Sequence, residues 1–219
     1  MEINNEGIKI VLIGESGVGK TSIIKRYIDN IFEENIEPSL GGSFFAKDLI
    51  VNDGEKLTFD IWDTAGQERY RSLTQIFYKN AKVAILVYDI TRQNSFNELI
   101  KFWYNKVKEN TSSDIILVLV ANKSDLAELE EVNEEDAKKF AKERNIDFFS
   151  VSAKKDYGIK ELFTHIGKKF AGRNDCKFSK KEELNIQGED SNNSEKKIIG
   201  KSKSVKLKAF KNNKKKNCC

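Results

Sequence analysis

The chain has 219 residues, 39% of them hydrophobic and 33% charged, enough for one packed domain of about 150 to 200 residues and an appendage. Its three cysteines, Cys176, Cys218 and Cys219, make no disulfide framework, and its longest wholly apolar run, "IILVLVA", is far too short to span a bilayer. Of its 38 basic residues, ten fall between Lys196 and Cys219 with no acid among them, which leaves 28 against 34 acids in the body; such a body is a poor nucleic-acid binder, whereas the tail suits an anionic membrane face, nucleic acid or an import receptor.

The opening "MEINNEGIKI" places acids where a signal peptide needs a basic stretch, and Glu2 excludes N-myristoylation there. A strand, "IKIVLI", and a helix, "TSIIKRYIDNIF", flank "GESGVGKT". That octet, Gly14, Glu15, Ser16, Gly17, Val18, Gly19, Lys20 and Thr21, fits G-x-x-x-x-G-K-[ST] in the context the motif needs. Its glycines let successive N–H groups turn toward phosphate oxygens, and the following helix, with Ser22 in its first turn, adds a positive dipole end. Lys20 is placed to reach β- and γ-phosphates, and the Thr21 hydroxyl to ligate Mg²⁺.

Next, "SFFAKDLIVNDGEKLTFDIWD" predicts two strands joined at "NDG", with Ser43 to Val51 as an antiparallel edge. The second ends at Asp63, a carboxylate suited to Mg²⁺, and runs into "TAGQER". There the Gly66 N–H can approach a γ-phosphate and the Gln67 amide can orient an attacking water. Lys20 and Gln67 are the catalytic candidates. The strand "VAILVYD", the amphipathic "SFNELIKFWYNKVKEN" and the strand "IILVLVA" follow, then "NKSD", Asn122 to Asp125. At the sheet's C-terminal edge, Asp125 can accept from the guanine N1–H and N2 amine together, a pattern adenine does not offer. Asn122 and Lys123 belong to the same turn. After a helix, "NEEDAKKFAKERN", comes the strand "FFSVSA", whose end brings Ser152, Ala153 and Lys154, with the Ala153 N–H available to guanine O6.

A last amphipathic segment, "GIKELFTHIGKKFAG", carries His165, read as a surface or boundary residue. From Gly172 the periodicity fails and irregular, solvated chain is expected. Repeated strand–helix alternation predicts an α/β domain over residues 1–171, with a six-stranded sheet, five strands parallel and helices on both faces. Residues 172–219 form a basic tail.

Together, "GESGVGKT", "WDTAGQE", "NKSD" and "SAK" resemble the Ras superfamily of small GTPases over about Ile8 to Ala171. Within it "WDTAGQERYRSL", "FYKNA", "LVYDITRQNSF" and the terminal Cys-Cys look like the Rab branch. The resemblance implies a P-loop GTPase fold, GTP or GDP bound with Mg²⁺, slow hydrolysis, and effector recruitment in vesicle traffic. It implies Phe32 at the guanine and Ser39 at the switch I hydroxyl beside Mg²⁺. Its implied partners are an exchange factor, a GTPase-activating protein, effectors, and prenylation escort and dissociation inhibitor proteins, around a monomer that binds no nucleic acid. Lipidation at Cys218 and Cys219 would hold it on the cytoplasmic face of an intracellular membrane, an endosomal one by the "SF" after the glycines; two chains anchor stably where one binds marginally. The sequence departs from Rab pattern at "PSLGGSF", where Ser39 replaces Thr and Gly41-Gly42 predicts slack in switch I. Two rivals remain: a nucleotide-locked adaptor, which Gln67 argues against, and a nuclear import or nucleic-acid arm, which Cys218-Cys219 argues against.

Overall fold

The structure, a computed structural model, describes residues 7–34, 36, 42–51, 54–64 and 75–186, with side chains excepted at 75, 76 and 174–186. Ser39, Gly41, Gly66, Gln67, Cys218 and Cys219 lie outside the described residues. The chain divides into two units, Met1–Phe170 and Ala171–Cys219.

In the first unit six strands form one sheet in the order β2-β3-β1-β4-β5-β6. They are β1 (Ile8–Ile13), β2 (Ser43–Val51), β3 (Glu55–Asp63), β4 (Val83–Asp89), β5 (Ile116–Asn122) and β6 (Asp147–Ser150). Only β2 runs antiparallel, paired to β3 from Ser43↔Asp63 to Val51↔Glu55; every other pairing is parallel. Five parallel strands and one antiparallel edge are as the sequence predicts. The order steps away from β1 in both directions, to β3 on one side and β4 on the other, so a crevice opens beyond the carboxyl end of β1.

The central strands are buried on both faces, with β4 buried at all seven positions. On one face Val11, Ile13, Leu86 and Tyr88 pack with Leu99, Trp103, Val107 and Phe140. These last come from the segment Gln93–Asn110 and from α5 (Glu134–Glu143), whose Asn133 side chain accepts from the Glu135 and Asp136 amides as its N-cap. Elsewhere in the core Tyr27 of α1 (Lys20–Asp29) stacks on Phe163 of α6 (Ile159–Ile186) at 3.7 Å and 11°, and Phe59 of β3 tilts against the same ring. Burying one such aromatic stabilises by roughly 1.5 to 3 kcal/mol.

Two features differ from expectation. The predicted single helix over "SFNELIKFWYNKVKEN" is α3 (Gln93–Glu98), a π-helical turn (Leu99–Trp103) and α4 (Tyr104–Asn110). Helix α6 does not stop near Gly172 but continues to Ile186. Its extension, "RNDCKFSKKEELNI", lacks Gly and Pro and is rich in Lys and Glu; a helix needs no sustained apolar periodicity in its sequence where intrinsic propensity favours it. Among the described residues no helix is long and apolar enough to cross a membrane.

At Gly42, one of the two glycines, a Cβ would come within 2.2 Å of Phe77 Cε1, so the ring lies against bare backbone. Phe77 of α2 (Gln75–Tyr78), Trp62 and the half-exposed Phe44 form an aromatic row, with Phe44 to Trp62 at 5.2 Å and Trp62 to Phe77 at 6.0 Å. Trp62 is partly exposed there, and Lys9 Nζ sits 4.9 Å from its ring.

Candidate functional site

The crevice holds a cavity of about 400 Å³. Of the sequence-predicted residues, Ser16, Gly17, Gly19, Lys20, Thr21 and Ser22 line it from the glycine loop and α1. Phe32 lines it from the following segment, Asn122, Lys123 and Asp125 from the end of β5, and Ala153 and Lys154 from the turn after β6. Gly14, Glu15, Val18, Asp63 and Ser152 stand behind this lining and hold it.

The glycine loop curls because only glycine fits two of its positions. At Gly14, φ is +152° and a Cβ would lie 2.1 Å from the Val87 carbonyl oxygen; at Gly19, φ is +94° and a Cβ would lie 2.2 Å from Asn122 Nδ2. Lys20 Nζ donates to the Gly14 and Glu15 carbonyls at 2.8 and 2.9 Å. An ammonium has three donors, so one remains for a ligand. Burial pushes Lys20 down to about 8, the Asp63 and Glu15 carboxylates pull it up, and the Arg92 guanidinium pushes it down.

Behind the loop, Asn122 Nδ2 donates to the Val18 carbonyl at 2.8 Å, while its Oδ1 accepts from the Ala153 amide at 3.4 Å. One buried amide thus ties the glycine loop, the β5 end and the β6 turn together. Ser152 Oγ donates to Asp125 Oδ1 at 2.5 Å and takes the Lys155 amide at 3.0 Å, which fixes the carboxylate's orientation and leaves its remaining lone pairs for two donors of a ligand. Arg26 of α1 donates to the Ala153 carbonyl at 2.8 Å and the Lys154 carbonyl at 3.3 Å. The segment carrying Phe32 is held at the rim by Lys25–Glu33 at 2.9 Å and Lys154–Glu34 at 2.8 Å. Both pairs are exposed and contribute little to stability.

At the opposite end, Thr21 Oγ1 donates to Asp63 Oδ2 at 2.7 Å. A hydroxyl and a buried carboxylate in contact are hard oxygen donors, and Mg²⁺ is held by one or two such groups with substrate phosphates and waters. These residues fit that ion.

Sequence reasoning missed Asp89, Arg92 and Thr64. Asp89 ends β4 with its carboxylate buried, accepting from Lys123 Nζ at 2.6 Å, Arg92 Nε at 3.1 Å, Thr91 Oγ1 at 2.8 Å and the Thr91 amide at 3.0 Å. Burial by itself raises its pKa, but hydrogen bonds from Lys123 and Thr91, with the Lys123 charge, hold it below the usual carboxylate range. Arg92 reaches on to the Ser16 carbonyl at 2.9 Å. Lys123 has φ +67°, a left-handed conformation costing a non-glycine residue about 1 to 2 kcal/mol, and the ion pair with Asp89 anchors it there. Thr64 Oγ1 donates to the Leu12 carbonyl at 2.6 Å, closing the cavity floor. The signal for Asp89 was the one that found Asp63: an Asp ending an apolar strand beside the glycine loop's own strand.

Residues 9–171, which carry the glycine loop, Lys20, Asp63 and the Asp125–Ser152 pair, match the model of the Ras family. The chain belongs to the Ras family. Among its relatives, this Ras-family protein is 43% identical to the Ras-related protein RabJ of Dictyostelium discoideum over 161 residues, 74% of this chain and 62% of the relative. It is 40% identical to human Ras-related protein Rab-22A over 162 residues, 74% of this chain and 82% of the relative. It is 41% identical to the GTP-binding protein ypt5 of Schizosaccharomyces pombe over 162 residues, 74% and 76%. The chain thus spans less than two thirds of RabJ and about four fifths of Rab-22A. It is a Rab-type small GTPase.

Proposed function

We propose that the cavity takes GTP or GDP with Mg²⁺ and that the protein acts as a switch recruiting effectors in vesicle traffic. The observation that carries this reading is one cavity of about 400 Å³ lined both by Ser16, Gly17, Gly19, Lys20 and Thr21 of the glycine loop and by Asp125, which Ser152 braces, so that phosphates and a purine can share it. Asp125 takes the guanine N1–H and N2 amine, the Ala153 amide, whose bond to Asn122 Oδ1 is long at 3.4 Å, turns to O6, Phe32 covers the base, and the loop amides with Lys20 hold the phosphates. Thr21, Asp63 and Ser39 would hold Mg²⁺, which neutralises charge on the phosphate oxygens. Gly66 and Gln67 complete the reading: the first offers an amide to the γ-phosphate, the second orients water.

Hydrolysis by this chain alone is slow, since Gln67 only positions water, and a GTPase-activating protein supplies about 10³ to 10⁵ in rate. The domain boundary lies near Gly172, and Cys218 and Cys219 carry lipids that, with the lysine tail, hold the protein on the cytoplasmic face of an intracellular membrane such as an endosome. An exchange factor, effectors, a prenylation escort and a dissociation inhibitor complete the cycle of a monomer. Single-turnover hydrolysis of bound GTP tests the reading: wild type should cleave slowly and Gln67→Leu should bind GTP yet fail to respond to an activating protein. Equal stimulated rates in the two proteins refute the role given to Gln67. Relocation of a Cys218→Ser/Cys219→Ser double variant from membranes to cytosol tests the anchor.

A further inference from the structure

We infer that Trp103 is a positioning residue of the nucleotide site, its indole N–H fixing the Glu15 side chain and through it the glycine loop. The inference rests on the cavity being the nucleotide site. Trp103 is fully buried, and its Nε1 donates to Glu15 Oε1 at 2.9 Å across 88 residues of sequence. A buried indole needs a partner for its N–H, and a backbone carbonyl is the ordinary one. Here the acceptor is a charged side chain of the glycine loop itself.

Glu15 is thereby held at both ends, because its carbonyl accepts Lys20 Nζ at 2.9 Å. The loop residue whose carbonyl sets the lysine is the residue whose carboxylate the indole grips. How Trp103 comes to face the loop is a matter of helix geometry. It closes the π-helical turn Leu99–Trp103, and one extra residue in a helical turn rotates everything beyond it by about 100° relative to a continuous α-helix. Such turns persist where the side chain they aim has a use. The T-shaped contact with Phe102, centroids 5.0 Å apart, and the apolar cluster around it keep the ring from turning away. The segment Gln93–Asn110 is thus connected to the site by a directional bond to a charge, not by packing alone.

The experiment uses the full chain loaded with a fluorescent GDP analogue and follows release after excess unlabelled GDP is added. Glu15→Ala removes the acceptor and should speed release about tenfold, whereas Glu15→Gln keeps an acceptor oxygen for the indole but not the charge and should recover most, not all, of that loss. Trp103→Phe removes only the N–H and part of the ring; it should match Glu15→Ala, and the double variant should release no faster than either single one. If Trp103→Phe does not fold, the two Glu15 variants and the indole signal decide. Trp62 and Trp103 are the chain's two tryptophans, so a nitrogen–proton NMR correlation gives two indole peaks, and the slowly exchanging one should move upfield in Glu15→Ala and clearly less in Glu15→Gln. Wild-type release from Glu15→Ala, an unmoved indole peak, or additive effects in the double variant would overturn the inference. Failure of the wild-type chain to bind GDP at all would instead overturn the functional reading beneath it.

Discussion

Replacing Gly19 with alanine perturbs two things at once, and a second glycine separates them. At φ +94° the new residue sits in a backbone conformation that L side chains avoid, and its Cβ would lie 2.2 Å from Asn122 Nδ2. The backbone cost is about 1 to 2 kcal/mol. The collision forces Asn122 away from the Val18 carbonyl it reaches at 2.8 Å in the buried interior, and leaving those polar groups unpaired costs a further 1 to 3 kcal/mol or so. Gly19→Ala should therefore destabilise by roughly 2 to 5 kcal/mol. Gly54, in the β2–β3 turn, has φ +105° with nothing within 4 Å of its would-be Cβ, so Gly54→Ala reads the backbone cost alone. Urea denaturation of the two nucleotide-free variants gives the difference, and GDP titration gives its consequence. Gly54→Ala should bind GDP as wild type does; Gly19→Ala should lose at least about tenfold. If the two variants are equally stable, the Asn122 tie between the glycine loop and the base end of the cavity does not carry the energy assigned to it.

Three further outcomes follow from the same geometry. Burial holds Lys20 down at about 8, below the 10.5 of a free lysine, against upward pulls from Asp63 and Glu15; between those values the unfolded chain binds more protons, so this group's share of stability rises with pH there. Phosphates push its pKa back up, and calorimetry in two buffers of different ionisation heat should find proton uptake on GDP binding at pH 8.5 and none from this group at pH 6.5. Asp125→Asn should weaken GTP binding sharply and shift preference toward xanthine nucleotides, since the amide reverses one of the two accepted bonds; unchanged GTP affinity removes Asp125 from the base site. Asp89→Asn keeps shape but loses the charge that anchors Lys123 and Arg92, and with both cations partly exposed the cost is about 1 to 2 kcal/mol. Because the Asp89 carboxyl is held below the usual range, its contribution is present at neutral pH and fades as pH falls through that lowered value, so the variant's deficit in urea denaturation should shrink in acid.

What could be read along the chain was whatever one segment determines by itself. The continuous apolar runs gave strands buried on two faces, and "NDG" gave the one antiparallel edge, because burial and turn chemistry are local. The glycine loop was legible for the same reason: its spacing and its flanking strand and helix are contiguous. The packing at Gly42 was not legible because the ring against it, Phe77, is 35 positions away, and local sequence shows only backbone freedom. The π-helical turn was hidden, since apolar residues at 99, 102 and 103 suit an α-helix equally well. Helix α6 runs past Gly172 because a helix can continue where the apolar periodicity that marks it in sequence has stopped.

Asp63 and Asp89 show where the limit lies. Each ends a strand adjacent to β1, each is almost wholly buried, and nothing in either segment says what the carboxylate will meet. Asp63 meets the Thr21 hydroxyl and stands in a donor set fit for Mg²⁺; Asp89 also meets a hydroxyl, that of Thr91, but Lys123 and Arg92 already supply cations to its carboxylate. The difference comes from strand order. β3 lies on the side of β1 where the glycine loop delivers Thr21, and β4 lies between β1 and β5, whose end delivers Lys123. A strand-terminal carboxylate beside a glycine loop is therefore a ligand or a brace according to its neighbour in the sheet, and exchanging the two roles would require reordering strands, not changing either aspartate.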